Sequence, residues 1–160
     1  MTIAKGDKIP ATTFVKMTKN GPEPVDSAAY FSGRKVALFS VPGAFTPTCS
    51  AKHLPGFIEQ ADALKAKGVD EIACTAVNDA FVMGAWARDQ KAGGKVRMFG
   101  DGSADFTKKV GLELDLTARG MGVRSQRYSM LVDNGVVKQL NVEAPGKFEV
   151  SGADTLLKQL

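Results

Sequence analysis

The chain has 160 residues, 44% hydrophobic and 24% charged, a balance that suits one folded domain spanning 1–160 with a full core. Its net charge of +4 comes from lysines and arginines scattered among acids, which argues against nucleic-acid binding, since that needs a basic stripe interleaved with aromatics. The longest mostly apolar run, Val36 to Phe45, is broken by Ser40, Pro42 and Gly43 and is too short to span a membrane.

Alternation from Ala11 to Met17 predicts a strand, and Asn20-Gly21-Pro22 the turn after it. Lys35 to Ser40 is nearly all apolar and reads as a buried central strand. Phe57, Ile58, Ala61 and Leu64 then share one helical face, which Gly68 closes. A second buried strand is expected over Glu71 to Val77, a helix over Asp79 to Gln90 and a strand over Lys95 to Phe99. Tyr128 to Val132 and Val136 to Val142 flank Asp133-Asn134-Gly135, a strong hairpin signal. Ala153 to Leu160 reads as a short closing helix. Strands alternating with helices indicate an α/β sheet covered on both faces.

In this frame Cys49 lies just beyond the carboxyl end of a central strand, where open α/β sheets place their ligands. Thr46-Pro47-Thr48-Cys49 reads as a helix start: threonine caps, proline suits the first position, and Cys49 falls at about the third. The thiolate is the reactive form of cysteine. A free cysteine has a pKa of about 8.5, so only roughly 3% is thiolate at pH 7. Lowering that value by about two units takes roughly 2.7 kcal/mol, whereas a helix end supplies about 0.3–1 kcal/mol. A fixed cation is therefore required. Arg127, which immediately precedes the hairpin strand, is the best placed; Arg124 and Arg88 are weaker candidates. The Thr46 hydroxyl can accept a backbone N–H while donating to sulfur or to a substrate oxygen. Pro42 and Pro47 stiffen the loop and would shield the sulfur. Against this stands the plainer reading of Cys49 as a small buried hydrophobe.

Pro42-x-x-x-Thr46-x-x-Cys49 resembles the peroxiredoxin motif Pro-x-x-x-Thr-x-x-Cys. The longer run from Val41 to Phe57 is similar to the atypical type II, peroxiredoxin-five-like branch, as are Val77 to Val82, the Trp86 region and Arg124 to Tyr128. The resemblance implies a thioredoxin-like fold: a central mixed sheet flanked by helices, with a C-terminal hairpin and a short closing helix. It implies a peroxidase without metal or haem, acting on hydrogen peroxide and small organic hydroperoxides. Cys49 would be the peroxidatic cysteine, Thr46 and Arg127 its activating pair, and Pro42 its shield. It also implies a homodimer. Some relatives carry a resolving cysteine near the C-terminus, but Gly146 to Asp154 has none here. Cys74, in mid-strand, is expected to be a buried core thiol rather than a partner for Cys49. Glutathione, glutaredoxin or thioredoxin would then reduce Cys49.

His53 is the only histidine, and a structural role is expected for it rather than that of a hydrolase base. One histidine and two separated cysteines cannot make a standard zinc site. Without Cys-x-x-Cys, thioredoxin-type disulfide exchange is not expected, and Gly120-Met121-Gly122 suits a loop wall better than a nucleotide loop. Phe45 and Phe81 are open between core, pocket lining and dimer contact. Two cysteines outside any disulfide framework and an N-terminus without a signal-peptide core fit a reducing cytoplasmic setting. A redox sensor or relay, and a binding module with an inert thiol, remain the alternatives to a peroxidase.

Overall fold

Residues 2–160 are described by the structure, a computed structural model. In chain order the elements are β1 (Thr13–Thr18), β2 (Gly21–Asp26), α1 (Ser27–Phe31) and β3 (Lys35–Ser40). A turn of π-helix (Cys49–His53) then leads into α2 (Leu54–Glu59) and α3 (Ala61–Ala66), followed by β4 (Glu71–Ala76), α4 (Ala80–Gln90) and β5 (Arg97–Gly100). The chain continues through α5 (Asp105–Lys109), β6 (Glu113–Leu116), a 3-10 turn (Thr117–Arg119) and β7 (Gly122–Ser125). It closes with β8 (Tyr128–Asp133), β9 (Val136–Val142) and α6 (Ala153–Lys158).

Seven strands form one mixed sheet in the order β2-β1-β5-β4-β3-β8-β9, while β6 and β7 pair separately. β3, β4 and β5 run parallel, and β8 lies antiparallel against β3. Both faces of the sheet are covered, which is why β3 carries a nearly unbroken apolar run. Ala37 and Phe39 face a layer with Leu54, Phe57, Leu64, Trp86 and Leu156. Val36 and Leu38 face the opposite layer with Phe14, Phe31, Phe106 and Tyr128. Full burial of one such large side chain contributes roughly 1.5–3 kcal/mol. The hairpin turn has Asn134 and Gly135 at φ of 49° and 79°, the left-handed pair that a two-residue β-turn needs.

Several elements depart from the sequence reading. β2 was not expected, because Pro22 and Pro24 argue against a strand; it is an edge strand, where missing N–H groups need not face a partner. α1 and α5 have five residues each, too few to show a helical period. The helix expected around Phe57 to Leu64 is in three pieces. Pro55 has no N–H to give the Ala51 carbonyl, and the turn before it widens so that Leu54 N–H reaches Cys49 O. A second break falls at Gln60, which leaves helical geometry at ψ 8°.

Candidate active site

β3 ends at Ser40, whose register partner on β8 is Tyr128. The loop leaving β3 and the residue entering β8 therefore meet at one end of the sheet. Between them the loop turns at Phe45, which takes a left-handed φ of 63° and is held by Ala44 N–H donating to Asn78 Oδ1 at 2.9 Å. A left-handed backbone at a bulky residue is strained and persists only where its surroundings enforce it. Pro47 and Thr48 begin the helix, so Cys49 is its third residue, as expected.

The Cys49 sulfur is wholly buried. Thr46 Oγ1 lies 2.9 Å from it, and Arg127 Nη2 donates to it at 3.0 Å. Of the three arginines weighed, Arg127 alone reaches the sulfur. Arg124 instead braces the loop, donating to Pro42 O at 3.3 Å and to Met121 O at 2.9 Å. Arg88 lines a separate groove with Lys16 and Met17. One expectation needs correction. The Thr46 hydroxyl accepts no backbone N–H among the described residues; its other neighbour is the Gly43 carbonyl oxygen at 2.7 Å. Pro47 is exposed at the start of the helix, and Pro42 lines the cleft shared with Arg127.

His53 has a larger part than a packed turn would require. It is fully buried, and Arg127 Nη1 donates to its Nδ1 at 2.9 Å. The ring proton therefore sits on Nε2, which donates to Ser151 O at 2.9 Å. Burial first, and the Arg127 cation second, pull the His53 pKa down to about 3. The ring stays neutral and remains an acceptor for the guanidinium. Its plane is fixed by Phe39, Phe148 and Phe57, with centroids at 4.8, 5.0 and 5.7 Å. Trp86 Nε1 donates to Ser50 Oγ at 3.0 Å and so fastens the residue after Cys49 to α4.

Above this cluster lies a cleft of about 110 Å³ lined by Pro42, Thr48, Leu114, Gln126, Arg127 and the segment 143–147. Drug-sized ligands need roughly 300–1,000 Å³, so the cleft suits a molecule of few atoms. Cys74 is also wholly buried, in register with Phe39 on the same face of the sheet as Cys49. Both cysteines are free. Burial, and to a lesser degree the nearness of Cys49, holds the Cys74 pKa well above the ordinary thiol value. No group of three His, Cys, Asp or Glu side chains among the described residues could hold a metal ion. Asn78, Ser151 and Glu143 join the supporting structure without having been singled out; only packing brings them here.

Residues 4–157 match the Redoxin family. The chain is 50% identical over 161 residues to "Peroxiredoxin-2B" of Arabidopsis thaliana, covering 99% of this chain and 98% of that one. It superposes with a TM-score of 0.95 and 55% identity on reduced Prx3 of Vibrio vulnificus in complex with hydrogen peroxide, over 99% of both chains. Peroxiredoxin 5 of Alvinella pompejana superposes at 0.85 with 35% identity, over 98% of this chain and 96% of that one. The likeness thus extends from the short motif around Cys49 to the whole sheet and its helices, giving the thioredoxin-like fold: the chain belongs to the redoxin family, among the peroxiredoxins, and is a thiol peroxidase.

Proposed function

We propose that Cys49 is the group that attacks peroxide, with Thr46, Arg127 and Pro42 serving it. The observation that carries this reading is the convergence on one buried sulfur of a hydroxyl at 2.9 Å and a guanidinium at 3.0 Å. A unit charge pair at that separation attracts by roughly 5 kcal/mol at an effective dielectric of about 20, several times what a helix end supplies. Sγ, as thiolate, attacks the outer oxygen of hydrogen peroxide or a small organic hydroperoxide. The S–O bond forms as the O–O bond breaks, and the electron pair leaves with the inner oxygen, which gains a proton and departs as water or an alcohol. Arg127 and Thr46 hold the charge that spreads over the two oxygens. Pro42 limits access of bulk water.

Cys49 is left as a sulfenic acid, the reversible first step of cysteine oxidation. An external thiol condenses with it and releases water; a second thiol then frees Cys49 as the reductant's own disulfide forms. Glutathione with glutaredoxin, or thioredoxin, is the proposed source. The burial and high pKa of Cys74 support an external thiol over this one, because the thiolate is what attacks. Within the peroxiredoxins we assign the chain to the atypical type II, peroxiredoxin-five-like branch, on the run from Val41 to Phe57. We also propose a homodimer in a reducing cytoplasm. Phe45 and Phe81, 52% and 64% exposed, are large apolar side chains available for a contact between copies.

A panel of reductants tests the scheme, using glutathione alone, glutathione with glutaredoxin, and the thioredoxin system. Peroxide consumption should vanish in Cys49→Ser with every reductant and persist in wild type with at least one of them. Full activity in Cys49→Ser would sink the assignment.

A further inference from the structure

We propose that Glu143 is a positioning residue for Arg127, acting through residues 149–151 and His53; this rests on the reading in which Arg127 serves Cys49. Glu143 follows β9 directly and is buried. Its carboxylate accepts from Glu149 N–H at 2.9 Å, Val150 N–H at 2.9 Å, Ser151 N–H at 2.7 Å and the Ser151 hydroxyl at 2.6 Å. No lysine or arginine pairs with it among the described residues. A buried charge is costly unless hydrogen bonds compensate it, and here three amides and a hydroxyl do so. Those hydrogen bonds outweigh burial and hold the Glu143 pKa below the usual glutamate value.

The gathered segment ends on the atom that fixes His53. Ser151 O accepts the Nε2 proton, which leaves a lone pair on Nδ1 for Arg127 Nη1, which in turn leaves Nη2 aimed at the sulfur. Glu143 also grips Arg127 from its other side, its own N–H donating to Arg127 O at 2.9 Å. Without the charge on that acceptor, three amides and a hydroxyl lose their charge-assisted hydrogen bonds together, and the hold on the Ser151 carbonyl loosens. His53 can then carry its proton on Nδ1, where it opposes an Arg127 N–H, donor against donor. The guanidinium must turn away. Glutamine can put its oxygen in place of Oε2, which accepts from all four donors, but it removes the charge and turns an NH2 toward Glu149 N–H, which also approaches Oε1; aspartate keeps the charge and shortens the reach.

The test compares wild type, Glu143→Gln, Glu143→Asp, Arg127→Gln and the Glu143→Gln/Arg127→Gln double variant. Three quantities are read: the second-order rate with hydrogen peroxide, the thiolate absorbance at 240 nm of reduced protein at neutral pH, and the His53 tautomer by ¹⁵N NMR. Cys74 stays protonated and silent in the absorbance. Glu143→Gln should slow the peroxide reaction by at least about tenfold, as expected when a reacting group is misplaced from a distance. It should also lower the thiolate signal and populate the Nδ1–H tautomer, while Glu143→Asp retains most of the rate. The double variant should be no slower than Arg127→Gln alone, because both changes disable one device. Wild-type rate and absorbance in folded Glu143→Gln beside a slow Arg127→Gln would overturn this proposal alone, as would multiplying losses in the double variant. A wild-type rate in Arg127→Gln would overturn the earlier reading as well. Should Glu143→Gln not fold by circular dichroism, Ser151→Ala removes one contact and keeps the charge. A smaller loss of rate with the same tautomer shift is then expected, and no change in either overturns the proposal.

Discussion

Acidifying the protein from about pH 7.5 to pH 5 should cost about 2 kcal/mol of folding stability, with His53 as the cause. Its pKa is near 6.5 in the unfolded chain and about 3 in the fold. The folded value is the lower one, so in this window the unfolded chain binds more protons. The stability tied to neutral His53 is complete above about pH 6.5 and falls by about 1.4 kcal/mol per pH unit toward pH 3. Integrated down to pH 5 this gives about 2 kcal/mol, a result nearly independent of the folded value as long as it stays below about 4. His53 is the only histidine. The carboxylates depressed by the fold, Glu143, Asp105 and Asp115, have ordinary values of 4.5, 3.8 and 3.8 and titrate lower still. Asp101 is raised by burial and works in the opposite sense, but it is shared with the control, His53→Phe. Guanidinium unfolding at four pH values, followed by the emission of the single tryptophan, measures the slope. The His53→Phe variant will be less stable throughout, because Ser151 O and Arg127 lose a partner, but its stability should change far less over this window. Level wild-type stability from pH 7.5 to 5, or an equal slope in His53→Phe, would falsify the account of a neutral ring facing a guanidinium.

Three further outcomes are expected. Thr46→Val keeps the side-chain volume and removes the hydroxyl, so the peroxide rate in stopped flow should fall by roughly 10²-fold or more; an unchanged rate would remove Thr46 from the reaction. Cys74→Ala should turn over with the best external reductant within about twofold of wild type while losing roughly 1–2 kcal/mol of stability to the cavity. Loss of turnover with every reductant, in a folded variant, would show that Cys74 resolves Cys49. Trp86→Phe takes away the donor to Ser50 Oγ. Amide exchange across residues 50–53 should then speed up relative to β3 and β4, and uniform acceleration would contradict a local clamp.

Legibility followed the range of the interactions. β3 was found with its observed bounds because its burial on both faces is written in adjacent residues. The hairpin was found because Asn134-Gly135 is a local conformational demand. Cys49 and Thr46 share a turn, and Arg127 could be chosen over Arg124 because it adjoins a strand and so stands on a rigid element. The Thr46 hydroxyl was misread because helix capping is the common use of threonine there, and only the coordinates reveal the Gly43 carbonyl within reach. For His53 the sequence supports a structural role and does not show its link to the guanidinium. Its partners, Arg127 and Ser151, lie 74 and 98 residues away in sequence, and nothing in the local pattern joins them. Glu143 is hidden for a different reason: its partners are close in sequence, but the meaning of the segment they form depends on His53.

Thr46 has one hydroxyl proton and two neighbours that can take it, the Gly43 carbonyl and the sulfur. When Cys49 is protonated, the S–H can point at Thr46 Oγ1 and leave the hydroxyl proton for Gly43. When Cys49 ionises, that proton must swing to the sulfur, and the carbonyl loses its partner. On the role proposed for Thr46, the hydroxyl is thus a toggle thrown by the ionisation of Cys49. The carbonyl of Gly43, one peptide beyond the proline wall, becomes a built-in reporter of whether the enzyme is armed.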